Sequence, residues 1–573
     1  MKKTVKIFSL IAMSAFALTS CIEETFPEDN VATAGQIAAS PSALEASLRG
    51  IPSQMALGYL VYGSQTHETD MAYPAYMIAQ TELLGDMYPG VSDNTGYDWY
   101  KAYNVLSYNM ADNSYPSYLS WFTFYKFIKS ANDIISAVGD VNAEGLTDYA
   151  KGASGVAHAC RAFNYYMLTV LFEPKENIYT DCSEVAGLTV PFVTETTTND
   201  IAKNNPRATH EEMIAFILND LTIAEQCLQN YEPEDKTVPN LAVVYGIRAK
   251  VHMWDEDYAN AAKYARLAIE ASGATPLTDA QWNDLNAGFN TKNQAWMWYL
   301  HYDAENMGNL CNFTGWMSPE ADWGYASLTQ PVIDKSLYEK YGENDFRRKT
   351  IVDPDRANNP RETVRGQEWL AEMPDYLNMK FRCLGGDFET YSIGGAVDVP
   401  VMRVEEMYLI EAEAVGASQS VAEGVALLNN FMNSYRDPEY ISMANDLRTL
   451  QLDVLTQMRL EFWGEGCAFP AAKRLEVGVM QNYEGTNAPD DDYKINCKGI
   501  KPNWNMVIPN SEVQANVALM TTNNPNPTNA IKGPSPVGEY HEGNGYGEDA
   551  STDEGTDEGT EEGTEGSEEG TEE

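Results

Sequence analysis

Apolar residues recur at helical spacing most clearly between Pro239 and Gly273. Val243, Ile247, Val251 and Trp254 form one stripe, and Leu241, Val244, Tyr245 and Ala249 form a second beside it. A helix apolar on two stripes is buried between neighbours rather than laid on a surface. Pro239 has no N–H to lose and suits the first helical turn. Asp255-Glu256-Asp257 interrupts the pattern and can cap a second helix. That helix runs from Tyr258 with Ala261, Ala262, Ala265, Ala268 and Ile269 on one face, and Ser272-Gly273 closes it. Small residues on that face let two helix backbones approach closely.

Two helices in about 34 residues, the second lined with alanine, match a tetratricopeptide unit. One such unit cannot bury its own faces, so the pattern predicts partners elsewhere in the chain. They are visible. Trp121 to Val138 carries Phe124, Phe127, Ile128, Ala131 and Ile135 on one face, and Val156 to Phe172 carries Ala159, Phe163, Tyr166, Met167 and Val170. Glu211 to Leu228 is periodic too and precedes the best hairpin. Helical pattern returns at Arg403 to Val415, Val421 to Tyr435 and Leu447 to Trp463. Near the start, Ser42-Ala43-Leu44-Glu45 has the form of a helix-opening capping box.

Two stretches have no period. Gly85 to Pro116 sets Tyr88, Tyr97, Trp99, Tyr100, Tyr103, Tyr108 and Tyr115 among Gly, Asp, Asn and Pro. Thr275 to Pro400 holds Trp282, Trp296, Trp298, Trp316, Trp323, Tyr325 and Trp369 in a similar setting. Irregular stretches this long inside a compact domain point to function. Trp296 and Trp298 alternate as in a strand and are expected to pin the loops, as are about half of these aromatics.

The N-terminus carries an address. Lys2, Lys3 and Lys6 precede an apolar run from Ile7 to Leu18, too short to span a bilayer, which reads as a signal peptide over residues 1–20. Leu18-Thr19-Ser20-Cys21 looks like a bacterial lipobox, which makes Cys21 the expected lipidated residue. Residues 21–40 then form a tether, 41–530 a folded domain, and 531–573 an acidic tail whose Glu-Gly-Thr repeats have nothing to anchor them. The formal net charge of -46 argues against nucleic acid as a partner, since phosphate backbones require a basic footprint. The seven cysteines after Cys21 are scattered with no CxxC; pairing of some in an oxidising compartment stays open, and most read as buried small hydrophobes.

The C-terminal third resembles a known family. Met402-Arg403-Val404-Glu405-Glu406-Met407-Tyr408-Leu409-Ile410-Glu411-Ala412-Glu413-Ala414 looks like the signature helix of the SusD/RagB family of outer-membrane nutrient-binding lipoproteins. Asn429 to Arg436, Arg459 to Gly466, Lys473-Arg474 and Ile508 to Asn516 resemble that family's later blocks, in order. Gln457-Met458 departs from its usual acidic-basic pair, and Ala471-Ala472 from its Asp-Leu. The resemblance implies a mostly α fold: a tetratricopeptide-like helical-repeat scaffold, SusD-like, with long irregular aromatic-rich inserts. It also implies a glycan ligand, or a peptide in some members, and a SusC-like TonB-dependent barrel transporter as partner, over which the protein forms a lid. Outer-membrane attachment through Cys21 and exposure to the cell exterior are implied by the same resemblance, because Ile22-Glu23-Glu24 resembles a surface-export signal.

In the family, ligand residues come mainly from segments equivalent to about 85–105 and 310–330. The candidates there are Tyr97, Asp98, Trp99, Tyr100, Asn104, Trp316, Trp323 and Tyr325. Flat aromatic rings stack on the C–H face of a sugar at small entropic cost, while Asn and Asp fix its hydroxyls. Two other classes are open. Glycoside hydrolysis needs two carboxylates flanking one bond; Glu320 and Asp322 lie close in sequence but read as a solvated loop. The histidines show no HExxH spacing, and no nucleophile elbow or P-loop is present, so no catalytic residue, metal site or cofactor is expected. A pure protein-binding scaffold would also use such helical repeats, but it would leave the lipobox and the aromatic inserts without a purpose.

Overall fold

The computed structural model describes residues 41–57, 72–91, 115–305, 307, 312–359, 361–528, 530, 531 and 533–538. Helices dominate: α1 (Pro41–Ala56), α2 (Tyr73–Leu83), α3 (Tyr115–Val138), α4 (Asp148–Phe172), α5 (His210–Leu228), α6 (Leu241–Trp254), α7 (Tyr258–Ser272), α8 (Val404–Ser418), α9 (Val421–Tyr435), α10 (Leu447–Glu461) and α11 (Ala468–Arg474). From α3 to α9 each of these helices packs on the next, which is the stacked array that the helical periods predict. The two stripes of α6 are buried: Val243, Val244, Ile247, Ala249 and Val251 are each 0% exposed and Trp254 is 3%. Asn240 caps α6 through the Val243 N–H at 3.2 Å, so Pro239 stands just before the helix and not in its first turn. Asp257 caps α7 and a left-handed Gly273 ends it. The six described cysteines after Cys21 are free and buried; Cys311 lies outside the described residues.

Four short strands position the irregular segments: β1 (Met87–Pro89), β2 (Trp296–His301), β3 (Pro331–Ile333) and β4 (Asp398–Arg403). Strands β2 and β4 pair antiparallel and join the irregular middle to the scaffold. Trp296 and Trp298 do alternate in a strand and both are fully buried, as pins for the inserts. Arg403, the last residue of β4, opens a buried ionic cluster. Arg347, Arg403, Arg436 and Lys380 meet Asp345, Glu405, Glu461 and Glu465, every one of them buried. Glu461 is the hub. It accepts from Arg436 twice at 2.7 Å, from Arg347 at 2.9 Å and from Arg403 at 3.0 Å. Burial alone would raise its carboxyl, yet Arg436, Arg403 and Arg347 together hold it well below the usual range. Gln457, one of the departures from the family pattern, still serves the cluster by accepting from Arg347 at 2.6 Å.

A smaller polar node ties α4, α5 and α6. His210 gives one ring nitrogen to Glu173 at 3.0 Å and the other to Asp255 at 3.1 Å. Both partners are acceptors, so the doubly protonated ring satisfies both. The hydrogen bond with Glu173, and the weaker one with Asp255, raise the imidazole to about 9. A base whose folded pKa is raised adds stability that is complete below its unfolded value, near 6.5, and is lost as pH climbs through the folded value. The difference in melting temperature between wild type and His210→Ala should therefore be widest near pH 6 and should shrink by pH 10. An equal difference at both ends would mean that the charged imidazole contributes nothing.

The packed chain runs past residue 530, the expected end of the domain. Asn482 donates to Ser535 O at 2.5 Å and Gly538 N donates to Asn482 O at 2.8 Å, so 533–538 lie against the 480–496 segment. The signal peptide, the tether with Cys21 and residues 539–573 lie outside the described residues.

Candidate functional site

The two aperiodic segments meet through a short ladder. Strand β1 pairs antiparallel with β3, Met87 opposite Ile333 and Pro89 opposite Pro331. Just beyond it Gly90 N donates to Thr329 O and Gln330 O, both at 2.8 Å. A Cβ at Gly90 would stand 2.5 Å from Gln330 O, so only glycine permits this approach. This described segment ends one residue further on, at Val91. Tyr97, Asp98, Trp99, Tyr100 and Asn104 lie outside the described residues.

The ladder is held from beneath by the C-terminal part of the chain. Arg459 pairs with the carboxylate of Asp86, Trp463 Nε1 donates to Asp86 O at 2.9 Å, and Trp504 Nε1 donates to Leu83 O at 2.8 Å. Tyr88, Val332, Val352, Leu377 and Met379 form a small separate core under it. Tyr88 donates to Asp334 at 3.2 Å, and burial pushes that carboxyl up to about 6.

On this platform sit the remaining candidates. A helical turn, Phe313–Met317, is capped by Asn312 and carries Trp316. Trp316 has no exposed surface; its ring stacks on Tyr325 at 5.0 Å and 19° and backs that half-buried tyrosine. Trp323 is half-buried too and meets Tyr391 edge-on at 6.4 Å. The indole Nε1 of Trp323 is buried with no hydrogen-bond partner among the described residues. Tyr391 is 43% exposed and Ile393 beside it 51%. The loops are tied together by Asp322 N donating to Phe388 O at 3.0 Å. Asp322 itself pairs with Arg365 at 3.1 Å, and Arg365 lies over Phe388 at 4.8 Å and over Trp369 at 5.3 Å. The result is a half-exposed aromatic face bearing one ion pair.

The solvated-loop reading of Glu320 is overturned. Glu320 is 1% exposed, pairs with Arg382 at 2.6 Å, and accepts from Thr363 at 2.6 Å and from Val364 N at 3.0 Å. A carboxylate placed in the core must have such partners, and these occupy it. Asp322 stays largely exposed, so the two acids do not face a common point. Among the described residues no cluster of His, Cys, Asp or Glu could hold a metal ion.

Sequence reasoning missed Tyr391, Arg365 and Phe388. Tyr391 obeys the rule that found the others, an aromatic among Gly, Ser and Thr in the aperiodic middle. Phe388 obeys it too, whereas Arg365 gives no such signal, because only the fold brings residues 322, 365 and 388 together.

Residues 67–253 match the sequence model of the SusD-like family, whose description is "Starch-binding associating with outer membrane". None of the curated proteins matches the chain. Among solved structures, a SusD-like carbohydrate-binding protein from Bacteroides vulgatus shares 20% identity and a TM-score of 0.64, over 85% of this chain and 97% of its own. A SusD superfamily protein from Bacteroides thetaiotaomicron has 17% identity and a TM-score of 0.64, over 84% and 99%. Surface glycan-binding protein A from Bacteroides thetaiotaomicron, in complex with laminarihexaose, has 16% identity and a TM-score of 0.58, over 84% and 99%. At these identities the likenesses speak for the fold.

Proposed function

We propose that this chain, whose residues 67–253 match the SusD-like family model, captures oligosaccharides at the cell surface through the aromatic face around Trp323 and Tyr391. The observation that carries the reading is that pair of rings, left half-open at the edge of a rigid scaffold where a large apolar side chain gains little unless a ligand covers it. Tyr325, backed by Trp316, adds a third ring, and the Asp322–Arg365 pair offers acceptors and donors to sugar hydroxyls. Tyr97, Asp98, Trp99, Tyr100 and Asn104, which follow β1 in the sequence, belong to the same proposal. Delivery to a SusC-like TonB-dependent transporter, and anchoring in the outer membrane through a lipidated Cys21, complete the proposal. No catalysis is part of it.

Calorimetry tests the reading against a panel of glycans, on wild type, Trp323→Ala and Tyr391→Ala. Each variant should bind the best ligand about five- to hundredfold more weakly, the range that roughly 1–3 kcal/mol of lost ring stacking gives. Both should melt close to wild type. Wild-type affinity in both variants would remove this face from the site.

A further inference from the structure

Away from the aromatic face, a cleft of about 380 Å³ opens between α1, the start of α4, the 231–238 connection and His301 at the end of β2. It shares no lining residue with that face. Its volume falls in the range of about 300–1,000 Å³ typical of small-ligand sites. Two tyrosines form one wall, with Tyr149 and Tyr231 edge-on at 6.2 Å and 76°. Tyr231 is fixed by α4: a Cβ at Gly152 would stand 2.3 Å from its ring, so the helix lies directly against it. Neither phenol hydroxyl has a hydrogen-bond partner among the described residues.

The opposite side is polar. Arg49, on α1, reaches Glu45 at 2.7 Å and stands 3.7 Å from Glu234, which joins the helix to the far rim. His301 Nδ1 lies 2.6 Å from Asp398. A carboxylate only accepts, so Nδ1 carries the proton and Nε2 is left to meet a ligand. That nitrogen has no partner among the described residues. Two perpendicular rings, two open hydroxyls, a guanidinium and an imidazole suit a body with an apolar face and a hydroxyl rim. Glu45, Glu234 and Asp235 outnumber Arg49 in the lining, which opposes an anionic ligand.

We propose that this cleft is a second saccharide-binding site, taking the end of an uncharged oligosaccharide. It rests on the same ligand chemistry as the proposed function, but on different residues. The cleft would hold one end of a chain while the aromatic face holds another stretch or another molecule, which raises avidity without new contacts at either site.

Saturation-transfer NMR on the full chain, with laminarihexaose, maltohexaose and xylohexaose as probes, separates the two sites. In Trp323→Ala/Tyr391→Ala the cleft remains, and at least one probe should still show transfer. Adding Tyr149→Ala/Arg49→Ala, or His301→Ala alone at its exposed position, should weaken that residual binding about tenfold. Residual transfer that is indifferent to both cleft changes overturns the cleft. Abolition of all transfer by the Trp323/Tyr391 change alone overturns the cleft and leaves the aromatic face standing. Loss of transfer only on changing the cleft overturns the aromatic face and keeps the cleft. No transfer with wild type overturns both.

Discussion

Glu461→Ala should cost at least about 3–5 kcal/mol of folding stability, the penalty for breaking a buried ion pair by removing one partner. Its carboxylate takes hydrogen bonds from Arg347, Arg403 and Arg436, all of them buried. Its removal leaves four buried cations facing Asp345, Glu405 and Glu465 only. Isolated charges in the interior cannot be left unpaired, so the chain must admit water or unfold locally around α8, α9 and α10. Glu461→Gln should be milder, since the amide keeps acceptor capacity, although its NH₂ would then face guanidinium donors. Urea unfolding monitored by circular dichroism reads both. A loss under about 1 kcal/mol for Glu461→Ala would mean that water already reaches the cluster.

Trp254→Ala is the second large effect. Trp254 is 3% exposed at the end of α6, so truncation opens a cavity worth about 3–5 kcal/mol. It also strips a donor from Glu173, which accepts from Trp254 Nε1 at 2.9 Å. Lys175, over the indole at 5.2 Å, loses its ring as well. Melting should fall by several degrees, while the fraction still folded binds glycan as wild type does, because α6 contributes nothing to the aromatic face. Weakened binding with an unchanged melt would reverse the roles of Trp254 and Trp323.

The helical array was legible because each helix carries its own period. The hairpin of α6 and α7 needs only Val243, Ile247, Val251 and the alanines of α7 to announce itself; Asp257 and Gly273 bound α7 where the pattern puts them, while α6 opens after Asn240 and not at Pro239. The candidate site was legible in part. Trp323 and Tyr325 were found as aromatics without a period, and Trp316 by the same rule, but the rule cannot tell a ring that faces solvent from one that backs another. Burial decides that, and burial depends on Tyr325 folding over Trp316. Glu320 was misread for the same reason: an acid in a Gly- and Asp-rich loop reads as solvated until Arg382, 62 residues away, is seen to reach it. The ionic cluster was invisible as a unit, because its members come from segments whose local patterns say only that each is helical or irregular.

The ladder that brings the two aperiodic segments together has a consequence for the order of events during folding. The helices from α4 to α7 touch neighbours in sequence and can close as soon as they are made. Strand β1 cannot: its anchor Asp86 waits for Arg459, 373 residues later, and Leu83 waits for Trp504, 421 residues later. Closing loops of that length is entropically costly and slow compared with a local hairpin. The ladder, and with it the meeting of the two aperiodic segments, therefore forms only after nearly the whole polypeptide is available.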